Sequence, residues 1–453
     1  MKLAIIGTSY VGLVYGACFA DLGHQVACVD IDARKIALLK KGKVPIFEPG
    51  LDELVARNRR SGRLTFTTDI GKPVKASEVI FIAVGTPSKP NGEADLSQVT
   101  RVATDIGRHL NGYKIIVNKS TVPVGMGDLV ASIIREHLGA RRYGRQRGGG
   151  ASGAGHAGPA GANCRFSVVS NPEFLREGSA VHDLMNPDRI VIGASDPKAA
   201  ETVAGIFRPL NAPILITDVR SAEMVKYASN AFLATKISFV NEIAALCDRV
   251  GADAAEVTRG MGMDKRIGPH FLSAGAGFGG SCFPKDTLAL MHQAEREGLE
   301  MKLLKATFQV NTEQKRRMVE KLKELAGPLE GKLIAVWGLA FKANTDDMRE
   351  AVSVDVIRLL RDSGARVKAY DPAAMPNARR LIPGLVTARD PYEAARGVDA
   401  LLILTEWNEF KEADLKRVKS LMASPNIVDG RNVFGLKQVR ELGFNYRGVG
   451  RTA

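Results

Sequence analysis

Cysteine is scarce in this chain of 453 residues. There are five, Cys18, Cys28, Cys164, Cys247 and Cys282, an odd number without paired spacing. That argues against a disulfide framework and fits a reducing compartment, here the cytoplasm. The seven histidines are scattered, and none stands with cysteines at a zinc-like spacing, so no metal site is expected. No apolar run reaches the roughly 18 residues of a membrane span. MKLAIIGTSY starts a strand rather than a signal peptide. The net charge is +14, yet no basic stretch is interleaved with aromatics as a stacking platform would be. Neither nucleic acid nor membrane is therefore an expected partner. The densest basic cluster, residues 141–150, lies in what reads as a loop.

What the chain does have is length and a repeating pattern. At 453 residues, 45% of them hydrophobic, it exceeds one comfortable core and suggests two or three domains. Short apolar runs (KLAIIG, QVACVD, VIFIAV, YKIIVNKS, FSVVSNPEF, RIVIGAS) alternate with helical segments, which predicts a mostly parallel sheet. From about residue 218 the apolar spacing turns helical for some 30 residues, and a second helical region spans about 285–325. GKLIAVWGLAFKANTDDMRE restarts a strand-turn-helix pattern, and ARVKAYDP, DALLILTEW and NIVDGRN supply later strands. The reading is α/β: two parallel-sheet domains joined by a helical middle. The expected boundaries are 1–212, 213–325 and 326–453. A Gly/Ala/Arg-rich stretch at 139–164, with no hydrophobic period, predicts a mobile surface insertion near 141–163.

The first strand runs into Gly7-Thr8-Ser9-Tyr10-Val11-Gly12. Gly7 permits a tight turn and Gly12 close helix–strand packing, but serine stands where a dinucleotide fingerprint has its middle glycine. Asp30, at the end of the second strand, can accept hydrogen bonds from ribose hydroxyls and would repel a 2′-phosphate. NAD is therefore favoured over NADP, with Arg34 or Lys35 leaving some tolerance for the latter.

GFGGSCFPKD, 277–286, sets Cys282 among glycines. Such backbone brings N–H groups close to bound atoms. A thiolate there can attack an aldehyde and form a thiohemiacetal, which loses hydride to become a thioester. Asp286 is four residues on, on the same side of a turn if a helix starts at Pro284. Lys226 and Asn230 stand four apart in EMVKYASNAF and would share a helix face. On their own they read more readily as a solvated lysine and an ordinary polar surface residue; in a pocket they could balance an oxyanion.

GTSYVGL, VGTP, NKSTVPVG, NPEFLREGSA, EMVKYASNAF, GFGGSCFPKD and AFKANTDDMRE occur in this order. Together they resemble the UDP-glucose/GDP-mannose dehydrogenase family over nearly the whole chain, the insertion excepted. The resemblance implies two Rossmann-like domains, NAD-binding and UDP-sugar-binding, joined by a central helical dimerisation domain. It implies oxidation of a nucleotide sugar at C6 from alcohol to carboxylate with two NAD, UDP-glucose being the favoured substrate, in a homodimer. Cys282 would then be the nucleophile, with Lys226 and Asn230 stabilising oxyanions and Asp286 handling water and protons. Glu173 would serve acid–base work, including thioester hydrolysis, and Thr121 would contact both cofactor and an active-site water. The implied cofactor contacts are Gly7, Tyr10, Val11, Gly12, Asp30, Lys35, Thr86, Thr121, Lys285 and Arg349. The sugar nucleotide would meet Glu173, the backbone of Phe174, Leu175 and Arg176, Lys226, Asn230, Phe271, Ser273, Gly279, Lys342 and Arg431, with Arg266 reaching the partner's substrate.

Two rivals remain at this level. One is the same chemistry on GDP-mannose or a UDP-N-acetyl-hexosamine. The other is a catalytically silent NAD-binding scaffold, against which Cys282, Lys226 and Asp286 together argue.

Overall fold

A computed structural model describes residues 1–146 and 165–451. The chain divides into two units, Met1–Ala228 and Ser229–Ala453. The first is built on β1 (Lys2–Ile6), β2 (Gln25–Val29), β3 (Leu64–Thr67), β4 (Val79–Ile82), β5 (Lys114–Asn118), β6 (Phe166–Ser170), β7 (Ile190–Ala194) and β8 (Ile214–Thr217). They form one sheet in the order β3-β2-β1-β4-β5-β6-β7-β8. Every pair is parallel except β6 and β7. Alternate residues serve opposite faces. Leu3, Ile5, Phe81 and Val117 pack in one core, and Ala4, Ile6, Ile80, Ile82 and Ile116 in the other. Both faces are covered, which is why these strands read as unbroken apolar runs. The sequence reading missed β3 and β8, four-residue strands at the two edges of the sheet. Ile6 is in register with both Val29 and Ile82, so β1, β2 and β4 end level and Gly7, Asp30 and Ala83 leave the same edge of the sheet.

The second unit is built on β9 (Leu333–Trp337), β10 (Arg366–Tyr370), β11 (Val386–Thr387), β12 (Ala400–Ile403), β13 (Asn426–Asp429) and β14 (Asn445–Arg447). Its order is β11-β10-β9-β12-β13-β14, parallel throughout. The predicted helical stretch appears as Val219–Val250, 32 residues long, which contains the point of division. The second helical region is two helices, Phe283–Arg296 and Lys302–Ala326, the first closed by Gly298 at φ +75°.

One expectation is corrected. The basic cluster does not begin in a loop, because the helix Met126–Gln146 continues through residues 141–146. Arginine and glutamine there are good helix formers and carry it on. The rest of the expected insertion, with Cys164, lies outside the described residues. Among the described residues Cys18, Cys28, Cys247 and Cys282 are in no disulfide. Burial pushes the Cys18 and Cys28 thiols up to about 12, so neither is a nucleophile at neutral pH. Cys247 is buried, and only Cys282 is partly exposed. No helix among the described residues is long and apolar enough to cross a membrane.

Candidate active site

The glycine turn follows β1 directly. Gly7 has φ +107°, and a Cβ there would lie 2.5 Å from the Ala83 carbonyl oxygen. A Cβ on Gly12 would lie 2.0 Å from the Gly7 carbonyl oxygen. Both positions exclude a side chain. Ser9 has φ −69° and ψ −172°, ordinary extended backbone that does not require glycine. Its hydroxyl donates to the Ala83 carbonyl at 3.4 Å. Val11 packs against the core, and the Tyr10 hydroxyl accepts from the Gly178 N–H at 2.8 Å. The Asp30 carboxylate accepts from the Thr8 N–H and hydroxyl, the Asp32 N–H and the Lys35 ammonium, at 2.7–3.1 Å. Burial works to raise this carboxyl, but those donors together hold it below the ordinary aspartate value. The Thr86 hydroxyl donates to the Thr121 carbonyl at 2.8 Å, joining two further expected residues.

The first unit also joins Glu173 to Lys226, at 2.9 Å, with both side chains buried. Glu173 lies just beyond β6 and also accepts from the Leu175 N–H at 2.7 Å. Burial pulls its carboxyl upward, but the charge and hydrogen bond of Lys226 and the Leu175 N–H outweigh that, so it stays ionised. The Lys226 ammonium lies 5.5 Å from the Phe174 ring centroid, and the Arg189 guanidinium 3.9 Å from it. Arg176 is pinned to Asp183 through its own N–H and its guanidinium. The N–H groups of Leu175 and Arg176 are thus already engaged within the chain. Lys119, which the sequence reading passed over, is buried beside this group and donates to the Asn171 side chain and the Pro172 carbonyl. Its place in NKSTVPVG, two residues before Thr121, was the available signal.

In the second unit Cys282 stands immediately before the helix Phe283–Arg296, with Pro284 in its first turn. The Asp286 N–H donates to the Cys282 carbonyl at 2.8 Å, the first helical bond. The expected helical turn is therefore present. Unpaired N–H groups at such an end favour negative charge. Asp286 accepts from the Asn230 amide at 2.6 Å and from Lys285 at 2.5 Å. The glycines ahead of the cysteine answer to close approach. A Cβ on Gly279 would sit 2.0 Å from the Glu350 carbonyl oxygen, and one on Gly280 2.7 Å from the Phe341 ring.

The remaining expected residues of this unit divide. Ser273 and Arg431 line one groove of about 480 Å³, together with Arg259 and Arg451, which the sequence reading did not single out. Arg431 is fixed by the carbonyls of Leu404 and Phe341. Phe271 holds a positive φ of 61° with its ring against Phe283, and the Lys342 ammonium lies over the Phe341 ring. Arg349 pairs with Asp347, and its carbonyl accepts from the Gly280 N–H. Arg266 pairs with Asp264 and is otherwise in solvent, its side chain 90% exposed.

Three consecutive segments match profiles of one family. Residues 1–211 match the NAD binding domain of the UDP-glucose/GDP-mannose dehydrogenase family, 220–313 its central domain and 335–436 its UDP binding domain. The chain is 51% identical to UDP-glucose 6-dehydrogenase TuaD of Bacillus subtilis (strain 168), over 100% of this chain and 94% of that protein. Its fold is similar to that of a UDP-glucose dehydrogenase from the archaeon Pyrobaculum islandicum, with TM-score 0.88 and 43% identity over 99% of this chain and 97% of that one. It is also similar to the UDP-N-acetyl-mannosamine dehydrogenase Cap5O of Staphylococcus aureus, with TM-score 0.78 and 27% identity over 100% and 98%.

Proposed function

This chain belongs to the UDP-glucose/GDP-mannose dehydrogenase family and is an NAD-dependent oxidoreductase; on that premise we propose that it oxidises UDP-glucose at C6 to UDP-glucuronate through a thioester on Cys282. The observation that carries the reading is the setting of Cys282. It is the one partly exposed thiol among the described residues, it opens a helix, and Asp286 is held one turn away by Asn230 and Lys285. The first turn suits NAD: two positions closed to side chains, and a carboxylate at the end of β2. Asp30 and Lys35 would hold the ribose, with Thr86 and Thr121 nearby. NAD, when bound, supplies the hydride acceptor that no side chain can provide.

The chain's own residues do the rest. As the C6 alcohol becomes an aldehyde, its hydroxyl proton passes to a carboxylate, which would be Asp286. The Cys282 thiolate then adds to the carbonyl carbon, and the new oxyanion is balanced by the Lys226 ammonium and the Asn230 amide. Loss of the second hydride leaves the thioester. Water attacks it, Glu173 takes the water's proton, and the thiolate leaves. One alcohol, two NAD⁺ and one water become one carboxylate, two NADH and three protons.

UDP-glucose is favoured over other nucleotide sugars by the higher identity to the UDP-glucose enzymes than to Cap5O. Arg431, Lys342 and Ser273 would bind the UDP-sugar, as charge-assisted contacts to its diphosphate require. A homodimer is supported by Phe232, Phe239, Leu246 and Val250. They recur along one face of the helix Val219–Val250 and are each 47–67% exposed. Arg266 would reach the partner's substrate. The test is stoichiometric: each UDP-glucose should yield two NADH and one UDP-glucuronate, faster than GDP-mannose or UDP-N-acetyl-mannosamine. One NADH per sugar with free aldehyde, or NAD binding with no reduction by any nucleotide sugar, would overturn the reading.

A further inference from the structure

The stretch NPEFLREGSA runs from the end of β6 to the helix Ala180–Met185, and residues 171–176 carry no regular secondary structure. A stretch without ladder bonds must satisfy its backbone polar groups some other way. Two buried polar side chains, a lysine and a glutamate, do so, one at each end; burial holds the Lys119 amine well below the usual lysine value. Lys119, 2% exposed, donates to the Asn171 side chain at 3.0 Å and to the Pro172 carbonyl at 3.3 Å, with its Nζ 4.0 Å from the Tyr15 ring centroid. Glu48, 4% exposed, accepts from the Gly178 N–H and the Ala180 N–H, both at 2.7 Å. The Tyr10 hydroxyl shares the Gly178 N–H. Both side chains come from far away in sequence, with separations of 52 residues for Lys119–Asn171 and 130 for Glu48–Gly178.

We infer that Lys119 and Glu48 are positioning residues that hold residues 171–180 as a preformed platform for the sugar half of the substrate; the inference rests on the roles proposed above for Glu173 and for residues 174–176. Burying a lysine and a glutamate is costly unless their hydrogen bonds are made, and an apolar side chain would fill either space at less cost. What the two hydrogen-bonding side chains add is a fixed path for the main chain. The two ends serve different steps. Lys119 anchors the residues just before Glu173, so it governs where the general base stands. Glu48 anchors the residues just after Arg176, so it governs the surface the sugar meets.

Amide hydrogen exchange on the ligand-free, full-length protein reads the platform directly. The Gly178 and Ala180 N–H groups should exchange at least about 100-fold more slowly than in an unstructured chain. Fast exchange that becomes slow only on adding UDP-glucose overturns the inference. The variants then separate the two ends. Lys119→Met should lower kcat at least about tenfold, with KM within about threefold and acyl-enzyme accumulating. Glu48→Gln should raise KM for UDP-glucose at least about tenfold with kcat within about threefold. NAD affinity should hold in both. Proportional losses of kcat in both variants that merely track the folded fraction would reduce the two residues to stability and overturn their split roles. The exchange measurement needs neither turnover nor a folded variant. A failed reaction assignment therefore leaves it standing, while fast exchange in a protein that oxidises UDP-glucose removes only the platform.

Discussion

The first six strands of the first sheet and the six of the second share one spatial order, and each sheet carries an aspartate at the end of the strand beside its first. The two carboxylates are used differently. Asp30, after β2, accepts from Thr8, Asp32 and Lys35 and remains partly accessible, its side chain 11% exposed. Asp371, after β10, is fully buried and accepts from the N–H groups of Leu339, Ala340, Ala373 and Ala374 and from the Trp407 indole. The glycines diverge as well. Gly338 matches Gly7: its φ is +94°, and a Cβ would meet the Thr405 hydroxyl. Five residues on, where Gly12 stands in the first turn, the second has Ala343. One topology thus yields a turn suited to a dinucleotide and a turn filled by its own carboxylate. Strand order alone does not make a cofactor site.

The largest expected effect lies on the second sheet. Asp371→Asn puts an amide where five donors converge, leaving several N–H groups unpaired. It should cost about 3 kcal/mol of stability while NAD affinity stays within about twofold. Thermal unfolding and an NAD titration of the same sample check this, and a loss of NAD affinity without destabilisation would make the second sheet a cofactor site after all. Asp30→Ala should do the reverse. It should weaken NAD by about tenfold or more and narrow the preference over NADP, at a stability cost of about 1 kcal/mol. Unchanged NAD and NADP affinities would dissolve the contrast from the other side.

A pH-dependent effect also belongs to the first unit. Glu223 is pushed up to about 7 by burial, which the N–H groups of Gly125 and Gly127 only partly offset. Its carboxyl titrates higher in the folded chain than in the unfolded one. The folded state therefore binds the extra proton between about 4.5 and about 7, and stability falls as pH rises through that window. Glu223→Gln removes the titration. The variant should gain on the wild type by on the order of 2 kcal/mol between about pH 5 and about pH 8 in parallel denaturant melts. A constant difference across that range would show that the group does not titrate there.

Much of this was legible from the residues. Unbroken apolar runs marked the central strands because both sheet faces are covered, and the long period from residue 218 marked the helix Val219–Val250. The edge strands β3, β8, β11 and β14 were not legible, being short and partly exposed at the sheet margins rather than buried on both faces. In the candidate site, spacing predicted the helical turn joining Cys282 to Asp286. It did not predict the pairing of Asn230 with Asp286 or of Lys226 with Glu173, because partners 56 and 53 residues apart leave no local pattern. The partners of Lys119 and Glu48 were invisible for the same reason, although the place of Lys119 in NKSTVPVG marked the residue itself. A buried charge looks like a surface charge until its distant partners are known. Ser9 looked like a defect in the glycine turn, yet its backbone is ordinary and only Gly7 and Gly12 are closed to side chains.

The central claim is that Cys282 carries the acyl group that Glu173 then helps release. Intact-protein mass measurement of Glu173→Gln, mixed with UDP-glucose and NAD, tests it most directly. The amide cannot take the proton of the attacking water, so one UDP-glucuronyl group per chain should accumulate. The double variant with Cys282→Ala should gain no mass. An adduct that survives the loss of Cys282, or normal turnover with no adduct in Glu173→Gln, would contradict the account.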